Sequence, residues 1–356
     1  YDGFNADEQG RRVFDGLMPH VAGGGMGYFN HRFASPTRHN SQHDNHLYPA
    51  DVFPFTYGNE KDPFTRREDG ILRRARESKV VPKVMHVQTS SEYWHRSGSL
   101  VHTDPTGSRD AVIPPEVRIY VYAGAQHGAG SGVPRSGGAG ILPRNPTDYR
   151  PFNRALLSAL DAWVKQGIEP PPSVYPKISD GDLVDWQWNH SGWKPLPGLR
   201  YPGIIQRPPF ADRGPEFFSK RRTTIQPPKV LGHYGVKVLA YGDDDNELGG
   251  LSAPCVAVPL GTYLSWNTRS RSIGAEQELL SLQGGYVPFA RTKRERVDNG
   301  DPRGSLEERY RGQDDYLERC QSAVRKLVAQ RYLLEEDAAS LNDLARRLGK
   351  ESFGDD

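Results

Sequence analysis

A histidine and a glutamate each stand just past the end of an apolar run, and together they could move a proton. His127 follows Val117-Arg118-Ile119-Tyr120-Val121-Tyr122, a β-branched and aromatic stretch that reads as a buried strand closing in the small residues Ala123, Gly124 and Ala125. Glu92 follows Pro82-Lys83-Val84-Met85-His86-Val87-Gln88-Thr89-Ser90, a second run of the same kind. An imidazole can take a proton from a hydroxyl near neutral pH, and a carboxylate on its other ring nitrogen fixes the tautomer and stabilises the imidazolium. A strand-end acid followed by a strand-end histidine is also the order expected when a serine nucleophile comes earlier in an α/β sheet. Asp104 and Asp110, later in the loop after Glu92, are rivals for the acid. Taken singly, Glu92 could merely cap its loop and His127 merely fill a polar strand end; their order along the chain favours the pair.

Such a pair needs a rigid sheet whose strands end at the site. Residues 1–14 read as the end of a helix near Asp7–Arg12, and Leu17-Met18-Pro19-His20-Val21-Ala22-Gly23 as a short strand entering a turn at Gly23-Gly24-Gly25. Residues 26–66 hold no sustained period and read as a long lid or binding loop. Asp69 to Ser78 reads as a helix with Asp69 as its N-cap. After the two apolar runs, Pro151 to Gly167 carries Ala155, Leu156, Ala159, Leu160, Trp163 and Val164 at helical spacing, with Gly167 where a C-cap belongs. The expected fold class is therefore α/β: residues 1–175 as the C-terminal half of a parallel sheet with a lid at 26–66, followed by an appended mixed β and helical segment, 176–356, packed on it. Within that segment, residues 229–266 read as β-hairpins around Asp243-Asp244-Asp245-Asn246-Glu247. A helical tail from Ser305 onward places Tyr316, Leu317, Val324, Leu327 and Val328 on one face.

Composition narrows the partners. With 46 Lys and Arg against 44 Asp and Glu, the net charge of +2 gives no footprint for nucleic acid or an anionic membrane. No apolar stretch approaches the roughly 18 residues of a membrane span. The 38 glycines and 29 prolines, beside 10% aromatic residues, indicate long irregular loops rather than disorder. Cys255 and Cys320 lie outside any C-x-x-C spacing, so neither a disulfide framework nor a zinc knuckle is expected.

His39, His43 and His46 could share a helix face and bind zinc with Asp44 or Asp51, but Asn40, Asn45 and Pro49 favour a loop. The acidic run at Asp243–Glu247 lacks the spacing of a calcium loop, so a turn between strands is expected there. The cluster Arg291-Thr292-Lys293-Arg294-Glu295-Arg296 reads as a solvated helix end, and Trp186, Trp188 and Trp193 as packing of an irregular segment. No cofactor is implied. The alternatives to a serine hydrolase are a metal-binding hydrolase built on the three histidines and a non-catalytic binding protein.

A complete G-x-S-x-G nucleophile turn occurs nowhere in the 356 residues, and Ser35, Ser41 and Ser90 lack the small neighbours such a turn needs. The expectation is that the nucleophile lies upstream of residue 1. Tyr1-Asp2-Gly3-Phe4-Asn5-Ala6-Asp7-Glu8, Val13-Phe14-Asp15-Gly16, Pro19-His20-Val21-Ala22-Gly23, Ser91-Glu92-Tyr93-Trp94, Ala123-Gly124-Ala125-Gln126-His127 and Pro170-Pro171-Pro172-Ser173 resemble a bacterial family of alpha/beta hydrolase domain proteins. The likeness runs through nearly the whole chain, including Gly261-Thr262-Tyr263, Trp266-Asn267, Asp301-Pro302-Arg303 and Glu307-Glu308-Arg309-Tyr310. In that family a G-x-S-Q-S-G turn comes shortly before the Gly-Phe-Asn stretch, a feature this sequence lacks.

The resemblance implies an α/β-hydrolase fold with Glu92 as acid and His127 as base, in a serine esterase-like protein acting on a small-molecule ester. The segment from Tyr28 to Tyr57 would shape the acyl or alcohol pocket. Tyr57 and His46 from that segment, with Trp94 beside the acid, are the candidates for substrate binding.

Overall fold

Three parallel strands, Gly16–Leu17, Lys83–Thr89 and Val117–Tyr122, form the centre of the computed structural model, which describes residues 5–25, 51–136, 138–220 and 222–354. The Lys83–Thr89 strand lies in the middle, and its register with the third strand runs from Val84 opposite Val117 to Thr89 opposite Tyr122. A parallel bridge between His20 and Val87 carries the first strand towards the same end. Side chains alternate across a pleated sheet, which separates the two long runs into two faces. Val84, Ile119 and Val121 enter one core with Leu100, Trp193 and Trp266. Met85, Val87, Tyr120 and Tyr122 enter another with Phe152, Leu156, Leu160 and Trp163. Burial on both faces is why these strands read as nearly continuous apolar runs.

The second face is covered by the helix Arg150–Gln166, whose buried Leu156, Leu160 and Trp163 follow the helical repeat. Pro151 occupies its first turn, where a missing N–H costs nothing. Gly167 ends it with φ 70° and donates its N–H back into the last turn, a conformation that glycine adopts without a Cβ penalty.

Two later segments line the free side of the Val117–Tyr122 strand. Val174 pairs with Tyr120 and Leu251 with Tyr122, both in parallel. The N–H of Leu251 donates to the Val121 carbonyl at 2.6 Å, and the Ala123 N–H returns a bond of 3.2 Å to the Leu251 carbonyl. Farther along, the helices Gln313–Ala329 and Glu335–Phe353 pack on one another. Tyr316, Cys320, Ala345 and Leu348 meet in a third core, while Val324 and Leu327 reach the core behind the sheet. No helix among the described residues is long and apolar enough to cross a membrane.

Several local expectations are corrected. Near Asp7–Arg12 there is a tight turn instead of a helix end, closed by an Ala6–Arg12 bridge. The Asp7 carboxylate accepts the N–H groups of Gln9 and Arg11, and Gly10 has φ 77°; this side-chain-closed turn outcompetes the helix. The helix expected over Asp69–Ser78 spans only Arg73–Glu77, and Asp69 is not its N-cap. Its carboxylate is taken by Gly70 N–H, Arg67 and Arg73, and Asp69 itself sits in a two-residue pairing with Glu60–Lys61.

Of the expected lid, residues 26–50 lie outside the described residues. Its remainder sends Phe53, Phe55 and Tyr57 into the main core. The strands in 229–266 do not pair mainly with each other. Lys229–His233 pairs with Pro209–Asp212, Val238–Leu239 with Leu183–Val184, and Gly261–Leu264 with Gly285–Pro288, all antiparallel. The acidic run does form a turn, closed by a Tyr241–Glu247 bridge.

Candidate functional site

Glu92 and His127 meet where the second and third strands end. Past Thr89 the chain turns at once into the short helix Ser91–His95, which points Glu92 back over the strand end. One carboxylate oxygen accepts the Thr89 N–H at 2.6 Å and the Thr89 hydroxyl at 2.7 Å. The other lies 2.6 Å from His127 Nδ1. Glu92 is completely buried, whereas the His127 side chain keeps 28% exposure. Burial alone would push the Glu92 carboxyl up. The His127 hydrogen bond and charge, with the two bonds from Thr89, outweigh it and hold the carboxyl below its ordinary value. The carboxylate is thus the stable form, and it selects the tautomer with the proton on Nδ1. Among the described residues nothing hydrogen-bonds Nε2, the nitrogen a base would use.

The segment that delivers His127 is pinned along its backbone. Gly124 has φ 61°, and a Cβ there would lie 3.2 Å from Tyr263 and from Val256, so both backbone shape and space call for glycine. Its carbonyl accepts from Asn145 Nδ2 at 2.9 Å and from the Thr147 hydroxyl at 2.8 Å, and its N–H donates to Glu247 at 3.1 Å. The Ala125 N–H reaches the Ser90 hydroxyl at 3.4 Å, while Gln126 Oε1 accepts from the Gly284 N–H at 3.1 Å. At the far end the Tyr149 hydroxyl donates to the His127 carbonyl. The arrangement can hold an imidazole in one orientation, with Nδ1 on Glu92.

The rival acids are occupied elsewhere. Asp104 accepts from the backbone N–H groups of Thr106, Ser108 and Arg109, closing its own loop. Asp110 accepts from Ile178 and Ser179. Trp94 is fully buried, packed against Tyr201 and Trp266. Tyr57 is buried too and hydrogen-bonds His86 Nδ1 at 2.8 Å through its hydroxyl. Both side chains belong to the main core. His46 lies outside the described residues, as do His39 and His43. Among the described residues no group of three or more His, Cys, Asp or Glu is placed to hold a metal. In the acidic turn, Asp243 pairs with Lys194, Asp244 with Arg309, and Asp245 accepts the Lys194 N–H. Cys255 and Cys320 are both free thiols.

Sequence reasoning passed over three neighbours of the pair. His20, at the end of the first strand, sits 5.6 Å ring to ring from Tyr149 and has Nε2 3.1 Å from Asn153 Nδ2. Its place at a strand end was the available signal. Ser90 and Glu247 were legible only as strand-end and turn residues, since no local spacing announces a carboxylate that travels 123 residues to reach Gly124.

A family model described as alpha/beta hydrolase domain matches residues 1–343 of the chain. No curated protein and no solved structure matches it.

Proposed function

The chain belongs to the alpha/beta hydrolase domain family, and from that membership we propose that it takes part in serine-type hydrolysis of a carboxylic ester through an acyl-enzyme. The observation that carries the proposal is the 2.6 Å bond between His127 Nδ1 and a buried Glu92 that Thr89 fixes from behind. On this reading His127 is the base and Glu92 the residue that orients it. The nucleophile this reading calls for is a serine outside residues 1–356, which contain no nucleophile turn of the required pattern.

The serine oxygen attacks the ester carbonyl while its proton passes to His127 Nε2. Nε2 then gives that proton to the departing alcohol oxygen as the ester C–O bond breaks. Water next loses a proton to Nε2 and adds to the acyl carbon, and the proton returns to the serine oxygen as the acid leaves. Throughout, Glu92 keeps its negative charge opposite Nδ1–H and stabilises each imidazolium that forms.

The test uses the polypeptide extended to include the upstream serine. A fluorophosphonate probe should label it, and His127→Ala should abolish that labelling. Labelling of the variant at the wild-type rate would show that the base lies elsewhere, and no labelling of the wild type would end the serine reading.

A further inference from the structure

Glu247 is a second buried carboxylate near the pair, and the proposed reaction does not use it. It comes from the later part of the chain, in the turn that precedes Leu251. Gly124 N–H donates to it at 3.1 Å, and the Ser265 hydroxyl donates to its other oxygen. Among the described residues it forms no salt bridge, and burial pushes its carboxyl up to about 7 against those hydrogen bonds. An unpaired buried carboxylate is costly and would be expected to give way to an apolar residue unless it does something. Its contacts say what it holds. Four residues before Leu251 grips Val121 and Ala123, Glu247 grips the next N–H, at the positive-φ residue from which the His127 loop departs. Ser90 stands one residue beyond Thr89, which fixes Glu92; its hydroxyl donates to the Tyr122 carbonyl and accepts the Ala125 N–H, each at 3.4 Å. Glu247 therefore fixes the start of the loop carrying the base at Gly124, and one residue on, at Ala125, Ser90 joins that loop to the strand end carrying the acid.

We propose that Glu247 is a positioning residue for the His127–Glu92 pair, setting the bend at Gly124 so that Nδ1 stays within hydrogen-bond reach of Glu92. The functional consequence rests on the ester-hydrolase reading; the geometric one does not.

The first measurement therefore needs no substrate. The Nδ1 proton of His127 should appear as a far-downfield proton resonance, assigned by its loss in His127→Ala. In Glu247→Leu, which keeps the volume and removes the acceptors, that resonance should disappear or its exchange with water should quicken at least tenfold. In Glu247→Gln, whose amide oxygen can still accept from Gly124, it should persist near wild type. Should Glu247→Leu fail to fold, Ser265→Ala removes one contact of the carboxylate and should quicken the exchange. An unchanged resonance and exchange rate in folded Glu247→Leu, or in Ser265→Ala, would overturn the proposal.

The second measurement uses the serine-containing polypeptide. Glu247→Leu should lower kcat at least tenfold with KM within about twofold, and Glu247→Gln should restore most of it. Absence of esterase activity in the wild type would end the ester reading while leaving the resonance test of Glu247 standing.

Discussion

The strand ends and the C-terminal helical pair solve burial in opposite ways. At the strand ends, carboxylates and imidazoles are taken out of water and held by main-chain groups and hydroxyls: Glu92 by Thr89, Glu247 by Gly124 and Ser265, His95 by the Ser91 carbonyl. In the helices Gln313–Ala329 and Glu335–Phe353, Tyr316, Cys320, Ala345 and Leu348 fill the interior, while charges such as Glu318, Arg319 and Arg325 stay on the outside. Desolvated polar groups cost stability and fix geometry, whereas apolar burial supplies stability and tolerates small shifts. Change at the strand ends should accordingly register in rate and in pH response, and change in the helices in stability.

The comparison breaks most visibly at the base. His127→Gln keeps an N–H for Glu92 but offers no proton acceptor at Nε2, so on the proposed reading the esterase rate of the serine-containing polypeptide should fall about ten-thousand-fold. Glu92→Gln, which leaves the shape and removes the charge, should cost a similar or somewhat smaller factor; a loss under threefold in either would show that the strand ends are not the reacting centre.

Acid should come next in effect. Burial holds His86 and His95 down at about 4 and His102 at about 3. Between those values and the ordinary 6.5 the unfolded chain binds more protons, so stability is lost as the pH falls through that window. Glu247 and Asp245, raised by burial to about 7 and about 6, act with the opposite sign, since their protonated forms suit the folded state. They soften the decline, but three histidines outweigh them. The tryptophan emission of buried Trp94, Trp193 and Trp266 should report acid unfolding below about pH 5. A melting temperature unchanged from pH 7 to pH 4 would remove the three buried histidines from the argument.

In the helices, Leu348→Ala should lower stability by about 2–5 kcal/mol while leaving kcat of the folded enzyme unchanged. A fall in kcat larger than the unfolded fraction explains would couple the two regions. The smallest effect belongs to Arg319→Ala, because its side chain is half exposed and Asp315 keeps Arg311 as a second partner, so the loss should be less than about 1 kcal/mol in urea unfolding.

The site was legible in outline because its strongest signals are local. The Val117–Tyr122 and Lys83–Thr89 runs announced buried strands by residue type, and the 3.6-residue spacing with Gly167 announced the helix Arg150–Gln166. Asp7 and Asp69 defeated helix reasoning because their carboxylates prefer nearby N–H groups and arginines over helix capping. The Lys229–His233 strand chose Pro209–Asp212 over a nearer partner, a preference set by tertiary packing. Trp94 and Tyr57 looked available because they neighbour polar loops; only the fold reveals that their rings turn inward. Glu247 was read as a turn residue, which it is, and its reach to Gly124 depends on where Leu251 docks.

That docking has a consequence for how this protein keeps to itself. The strand that carries the base has a second edge, and an open edge of unpaired N–H and C=O groups is a template for another chain to add to. Val174 closes one half of it through the Val121 N–H and the Ile119 carbonyl, the Ser173 hydroxyl takes the Ile119 N–H, and Leu251 closes the other half. Two short pieces from distant parts of the sequence thus act as a selvedge on the sheet. Removing residues 247–251 would therefore bare the fabric beside His127, and self-association should be the first sign.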